Sequence, residues 1–406
     1  MKKGLLVFIL CLVFVFSTEA QVIGLWKGNL HISGQTLKIN VKFYEDGNKL
    51  AGNLDIPQQS AIGLRLNNIV KDGDNIKFEF IISSSNILKF DGKVDGDSIK
   101  GDFQQMGFFG KFELQKEIAD EKATKNENEE EVVFYNGKIK LCGTLSIPDR
   151  KKKNPAIVLI SGSGAQTRDE EIFGFPIFKI ISDTLTKKGF AVLRYDDRGI
   201  GCSEGVLVES NYDDLVGDVT SAINLLKGRK DIDASKIGLL GHSEGGIIAP
   251  ITATKTKDVS FIINLAGSGD IGTKIIIEQS GKISRLSGTS EEEVKKDSIM
   301  NVTVHNTILH DTGWVNSERE YKKYLSDKLN ENSALTDSVK EKLLENMNSA
   351  TDMWKQVWLK SFLSTNPINY LEKLTIPTLA IFAEKDTQID ALPNSQKVEV
   401  ALKRAG

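Results

Sequence analysis

Leu239-Leu240-Gly241-His242-Ser243-Glu244-Gly245-Gly246 is the stretch whose reading decides the fold. The apolar run 237–240 predicts a buried parallel strand, and Gly245 onward predicts the start of a helix. Between them Ser243 is bracketed by glycines two positions before and two after, the G-x-S-x-G spacing. A serine at the top of a sharp strand-to-helix turn sits in strained backbone, and a bulky residue at either flank would collide with neighbouring backbone. Such a turn exposes the hydroxyl and aims the first helical N–H groups at an anion forming beside it. Ser243 is therefore a candidate nucleophile. The competing reading is a glycine-rich turn holding an incidental serine, and the order of the surrounding elements decides between the two.

On either side of this turn, apolar runs alternate with segments of helical period. Residues 156–160, 191–195, 237–240 and 261–265 read as strands, and 178–188 and 215–227 as helices, with a hairpin of 132–135 and 139–147 before them. The strands are continuous apolar runs, as expected when helices cover both faces of a parallel sheet. Function is then expected at the carboxyl ends of the strands. From about 271 to 364 the alternation stops. Thr289 with Glu292 and Ser317 with Glu320 form capping-box patterns, and the segment reads as a helical cap. Its Trp354, Trp358 and Phe362 are placed on one helical face, to pin the cap to the body or to line an acyl pocket, with the first favoured. The sheet resumes at 378–382 and is followed by Ala383-Glu384-Lys385-Asp386 and a helix from Ser395.

Four motifs at strand ends now stand in order: Leu159-Ile160-Ser161-Gly162-Ser163-Gly164, Leu193-Arg194-Tyr195-Asp196-Asp197-Arg198-Gly199-Ile200-Gly201-Cys202-Ser203, the turn at Ser243, and Ile381-Phe382-Ala383-Glu384-Lys385-Asp386. From about Val132 to the end the chain resembles the α/β-hydrolase superfamily, and within it a group of capped bacterial serine esterases. The fold implied is α/β: an α/β-hydrolase fold, with a mostly parallel sheet and a helical cap, preceded by a small antiparallel all-β domain. The resemblance implies that Ser243 attacks a carbonyl carbon to form an acyl-enzyme. Backbone N–H groups of Glu244 and of Ser163, Gly164 or Ala165 would then stabilise the oxyanion. Asp386, with Asp390 as its competitor, would orient the catalytic histidine. The Asp196-Asp197-Arg198 run reads as a loop-bracing ion pair.

That histidine is the point of disagreement. In this fold it follows the acid, but His31, His242, His305 and His310 all precede Asp386. The slot of His242 in the turn aims its ring away from the hydroxyl, and His305 and His310 read as surface or packing residues of the cap. The economical expectation is a C-terminally truncated sequence, lacking the last strand, the histidine loop and the final helix, with impaired activity.

Ahead of this region, residues 21–115 alternate in β period, with turn signals at Asp46-Gly47, Asp72-Gly73, Asp91-Gly92 and Asp95-Gly96. They predict a small antiparallel barrel or sandwich, with Trp26 in its core and a lone structural His31. The domain holds a ligand or, as the favoured reading, shields or orients its neighbour. Residues 116–131 are rich in Glu, Lys and Asn and read as a charged linker. The domain boundaries are thus 1–20, 21–115, 116–131 and 132–406. Segment 1–20 has a basic start (Lys2, Lys3), an apolar run over 5–16 and small residues at Thr18 and Ala20, and reads as a signal peptide cleaved before Gln21. This predicts a periplasmic or secreted protein without a stable membrane span after cleavage.

Over 406 residues, with 40% hydrophobic and 26% charged residues and a formal charge of −3, composition gives no reason to expect a nucleic-acid partner. Apart from Cys11 in the apolar run, Cys142 and Cys202 form no metal pattern and read as buried thiols, with a single disulfide as the alternative. No metal or organic cofactor is implied. The expected partner is a small-molecule ester. A thioesterase or serine peptidase with the same triad, or a non-catalytic ligand-binding protein, are the alternatives.

Overall fold

The computed structural model describes residues 22–32, 35–59, 61–83, 86–105, 108–117, 127–172, 174–331, 336, 337, 340, 341, 344 and 351–406. The predicted signal segment 1–20 and the centre of the predicted linker lie outside these described residues. Two compact units are present, one within the first 121 residues and one built mainly from 122–406.

The first unit is all-β. Strands β1 (Gly24–Ile32), β2 (Gln35–Asp46), β3 (Lys49–Ile56), β4 (Ala61–Arg65), β5 (Asn67–Asp72), β6 (Asn75–Ser83), β7 (Asn86–Asp95), β8 (Ser98–Gln105) and β9 (Phe108–Lys116) form one nine-stranded sheet in the order β4-β3-β2-β1-β9-β8-β7-β6-β5. The rings of Phe43 on β2 and Phe78 on β6 meet at 5.5 Å, although four strands stand between theirs in the sheet order, so the sheet curls round its apolar face. Phe90, Phe103 and Phe112 complete that aromatic core, and Trp26 is fully buried with its indole N–H on the Val22 carbonyl. Gly47, Gly73 and Gly96 form the predicted turns. Asp91-Gly92 does not, since Gly92 lies inside β7 opposite Gly101. A Cβ there would come within 2.8 Å of the Phe112 ring, so this glycine makes room for an aromatic and marks no bend.

The second unit carries a seven-stranded sheet: β10 (Glu129–Asn136), β11 (Ile139–Ser146), β12 (Asn154–Ile160), β13 (Ala191–Tyr195), β14 (Ile232–His242), β15 (Phe261–Leu265) and β16 (Thr378–Ile381). Their order is β10-β11-β13-β12-β14-β15-β16, antiparallel up to β13 and parallel from there on. Side chains of β12 alternate between two cores. Ala156, Val158 and Ile160 face α2 (Tyr212–Lys227) and α3 (Gly245–Lys255), while Ile157 and Leu159 face Phe178 of α1 (Ile177–Lys187). Both faces of the central strand are thus apolar, which explains its unbroken hydrophobic run.

The predicted linker boundary moves. Glu129, Glu130 and Glu131 are not linker but the first residues of β10, paired with Ser146, Leu145 and Thr144. Each acid meets an arginine from elsewhere in the unit: Glu129 meets Arg194, Glu130 meets Arg150 and Arg229, and Glu131 meets Arg168. A charge run that reads as solvated in isolation is here paired.

The cap comprises α4 (Gly272–Leu286), α5 (Glu291–His310), α6 (Trp314–Glu331) and α7 (Val357–Ser364), after which come α8 (Ile368–Leu371) and α9 (Ala391–Ala405). The α5 capping box uses Ser290 and Glu293, one residue later than the frame expected. Ser317 caps nothing. It lies buried inside α6 with its hydroxyl on Thr307. Among the described residues no helix is long and apolar enough to cross a membrane.

Candidate active site

β14 ends at His242, and the chain turns at Ser243 with φ of +51°. This left-handed conformation is uncommon for a residue with a side chain. Two features hold it there. The Ser243 amide donates to the Leu265 carbonyl at 2.9 Å, tying the turn to the neighbouring strand. The flanking glycines admit the backbone on either side: a Cβ on Gly241 would lie 2.0 Å from the Gly245 carbonyl oxygen, and one on Gly245 would lie 2.2 Å from that of Ile160. The expected reason for the spacing is therefore realised as two backbone–backbone approaches. Ser243 is half-buried and not sealed in the core. Ala266 (φ +53°), which follows the end of β15, and Glu170 (φ +44°), in the loop after β12, are also left-handed, a concentration of strain typical of functional sites.

Glu244 opens α3 and is 5% exposed. Its carboxyl accepts the Trp358 indole N–H at 2.8 Å. Burial raises its pKa to about 7, against the partial opposition of the Tyr212 hydroxyl and the Trp358 indole. Trp358 and Phe362 on α7 and Trp354 before it all join the core shared with the sheet, Trp354 against Tyr321 with centroids 5.0 Å apart. They pin the cap. Trp354 does not share the helical face, because the chain turns between it and α7.

The loop after β12 is braced from three sides. Asp197 accepts the Ser161 hydroxyl at 2.8 Å and the Gln166 amide at 2.9 Å. Burial first, then the like charges of Glu170 and Glu244, push its pKa well up. Asp196 holds the Arg168 guanidinium through both oxygens. Arg198 makes a two-point pair with buried Asp218 on α2, at 2.7 and 2.8 Å. The Asp196-Asp197-Arg198 run thus acts as loop bracing. Glu170, which nothing in the sequence singled out from its acidic neighbours, accepts the Gly162 amide at 2.6 Å. With that amide engaged, Ser163 and Gly164 present the next backbone N–H groups, both exposed and Gly164 with φ +88°.

Asp386 sits in the turn after β16 and is half-buried. Its Oδ1 accepts the amides of Gln388 and Ile389 at 2.7 and 2.9 Å. Asp390 is exposed and engaged by Lys282 of α4. His242 places Nδ1 2.8 Å from Glu170 Oε1, and the charge of Asp386 reaches its ring. His305 is buried on α5, where burial lowers its pKa to about 4. His310 binds the Asn306 carbonyl on the surface, and His31 bonds Thr36 in the first unit. Cys142 on β11 and Cys202 in the loop after β13, expected as thiols, form a disulfide with Cα atoms 5.7 Å apart. Among the described residues no group of three or more His, Cys, Asp and Glu is arranged to hold a metal.

Residues 177–404, more than half of the chain, match the family model described as serine aminopeptidase, S33. The chain belongs to this family of α/β hydrolases. Esterase EstD of Thermotoga maritima is 36% identical over 129 residues, 32% of this chain and 30% of that protein. Putative hydrolase YtaP of Bacillus subtilis is 26% identical over 132 residues, 29% of this chain and 44% of that protein. The chain spans about half the length, or less, of the curated relatives it matches. Among solved structures, Pyrococcus furiosus esterase Pf2001 is similar with 15% identity and a TM-score of 0.44, covering 68% of this chain and 78% of its own. Est1E of Butyrivibrio proteoclasticus, solved with ferulic acid, is similar with 15% identity and a TM-score of 0.40, covering 67% and 86%. The chain is thus an α/β hydrolase whose antiparallel N-terminal unit precedes a mostly parallel sheet.

Proposed function

We propose that this hydrolase is exported and cleaves carboxylic esters through an acyl-enzyme on Ser243. The observation that carries the reading is the left-handed, glycine-bracketed Ser243 at the rim of the parallel sheet. Its hydroxyl attacks the ester carbonyl, and the developing oxyanion is met by the Glu244 amide and by that of Ser163 or Gly164. Asp386, preferred over Asp390 because it is half-buried in the turn just after β16 whereas Asp390 is exposed, orients an imidazole that takes the serine proton and returns it to the leaving alcohol. No histidine follows Asp386 in this sequence, and Nδ1 of His242 is engaged by Glu170. Export rests on the pattern of residues 1–20, with a mature start at Gln21 that N-terminal sequencing of the fractionated protein tests.

A fluorophosphonate probe is applied to the protein as its gene encodes it. Mapping of the adduct to Ser243 is expected, and absence of any adduct refutes the reading. Hydrolysis of short-chain nitrophenyl esters, acyl thioesters and aminoacyl amides then separates an esterase from a thioesterase or peptidase. The position of the histidines also favours a second reading, a ligand-binding protein on a disabled hydrolase body. It predicts no adduct.

A further inference from the structure

One carboxylate oxygen behind the nucleophile turn has two donors. Glu170 Oε1 accepts the Gly162 amide at 2.6 Å and stands 2.8 Å from His242 Nδ1. Gly162 belongs to the loop after β12, and His242 is the residue before the nucleophile. The contact therefore links the two segments that must keep register if donor amides and hydroxyl are to address one carbonyl. The groups converge closely: a Cβ built on Gly162 would lie 3.1 Å from Glu170 Oε1, 3.3 Å from the Ser243 Cβ and 3.4 Å from His242 Nδ1.

The local structure bears costs to hold Glu170 there. Its backbone is left-handed at φ +44°, and it is 1% exposed. Its second oxygen, Oε2, is buried without a hydrogen-bond partner among the described residues. A buried carboxylate with one unpaired oxygen is unfavourable unless a counter-charge compensates it. The imidazole is the side chain in contact that can supply one. Burial opposes the charged ring, but the hydrogen bond and charge of Glu170, joined by the charge of Asp386 from the loop after β16, outweigh it and raise the His242 pKa above the ordinary value. The neighbouring carboxyl groups in the same region are Asp197, braced by Ser161, and Glu244, bonded to Trp358.

We propose that Glu170 is a positioning residue, which through its hydrogen bonds to Gly162 and His242 clamps the oxyanion loop to the nucleophile turn and holds the donor amides in register with Ser243. The proposal rests on the hydrolase reading above but is testable apart from it. Neither residue touches the reacting atoms; each acts through the backbone it holds.

The test uses the protein as its gene encodes it, as wild type, Glu170→Ala and Glu170→Gln, with folding followed by circular dichroism. Gln keeps an acceptor for the Gly162 amide and loses the charge; Ala loses both. In Glu170→Ala, acylation by the fluorophosphonate and kcat for a nitrophenyl ester are expected to fall about tenfold or more, with KM changed less than threefold. Glu170→Gln is expected to recover most of that loss. In both variants NMR titration of the His242 ring is expected to move to lower pH. Wild-type acylation rates in folded Glu170→Ala, or an unmoved His242 titration in Glu170→Gln, would overturn the proposal. If Glu170→Ala fails to fold, the His242 titration in Glu170→Gln decides. If wild type itself takes no label, the hydrolase reading fails, and the same titration still decides whether the pair exists.

Discussion

Glu244→Gln is expected to leave the second unit nearly unchanged in stability at pH 4 and to stabilise it at pH 8. The carboxyl is 5% exposed, and burial raises its pKa from 4.5 to about 7. Below about pH 4.5 both folded and unfolded states hold the proton, and the group contributes its full stability. Between that pH and about 7 the unfolded chain ionises while the folded one stays protonated, so stability falls as pH rises. Above 7 both are ionised and the loss is constant. A rise from 4.5 to about 7, at about 1.36 kcal/mol per pH unit, sets the total at about 3 kcal/mol. Glutamine cannot ionise, yet keeps the carbonyl oxygen that accepts the Trp358 indole N–H. Urea midpoints from tryptophan fluorescence at pH 4, 6 and 8 measure the effect, and titrating groups that do not interact with Glu244 cancel in the difference between variant and wild type, Asp197 being one that does interact with it. That difference is expected to widen by about 3 kcal/mol toward alkaline pH. Parallel curves would show that Glu244 ionises in the folded state as it does in water, and the reasoning from burial would fail.

Gly245→Ala pushes a Cβ to within 2.2 Å of the Ile160 carbonyl oxygen, with no rotamer to relieve it. The expected cost is about 3 kcal/mol in urea unfolding, together with loss of fluorophosphonate labelling. Ser243→Gly removes both the hydroxyl and the strain of φ +51°. It is expected to abolish labelling while raising stability by about 1 kcal/mol, and a loss of stability would refute the strain argument. Arg198→Ala strands the buried Asp218 carboxylate and is expected to cost about 3 kcal/mol or more, whereas Arg198→Ala with Asp218→Ala costs less than the sum of the two single changes. Additive losses in that cycle would mean that the pair is not coupled.

What was legible in the sequence was what short-range sterics dictate. Gly241 and Gly245 are readable around Ser243 because their function is to let backbone approach backbone within one turn. The unbroken apolar run of β12 reports that helices lie on both sides, whichever helices they are. The residues that escaped are those whose meaning depends on a distant partner. Glu129, Glu130 and Glu131 look like a solvated charge run until Arg194, Arg150, Arg229 and Arg168 arrive from other parts of the fold. Cys142 and Cys202 are 60 residues apart and pair because β11 lies beside the strand that leads into Cys202. The capping frame at α5 slipped by one because Thr289/Glu292 and Ser290/Glu293 offer the same pattern one step apart, and only the backbone geometry at Ser290 selects between them.

Glu170 is the sharpest case of that division. In sequence it is one acid among Asp169, Glu170 and Glu171, with no periodicity to mark it. In the fold Asp169 faces Arg194, Glu171 is exposed in a two-residue ribbon, and Glu170 turns inward between them. The inward turn requires a left-handed residue there, and a side chain other than glycine tolerates it only when the surrounding contacts over-determine it. The contacts that do so come from the two segments flanking the nucleophile, Gly162 on one side and His242 on the other. His242 therefore carries a meaning different from the one its neighbour suggests. Adjacent to Ser243 in sequence, it is turned toward Glu170, whose Oε1 lies 2.8 Å from its Nδ1. On the proposed hydrolase reading the general base of Ser243 is then an imidazole other than His242, and the His242–Glu170 pair is part of the frame that aligns the reaction.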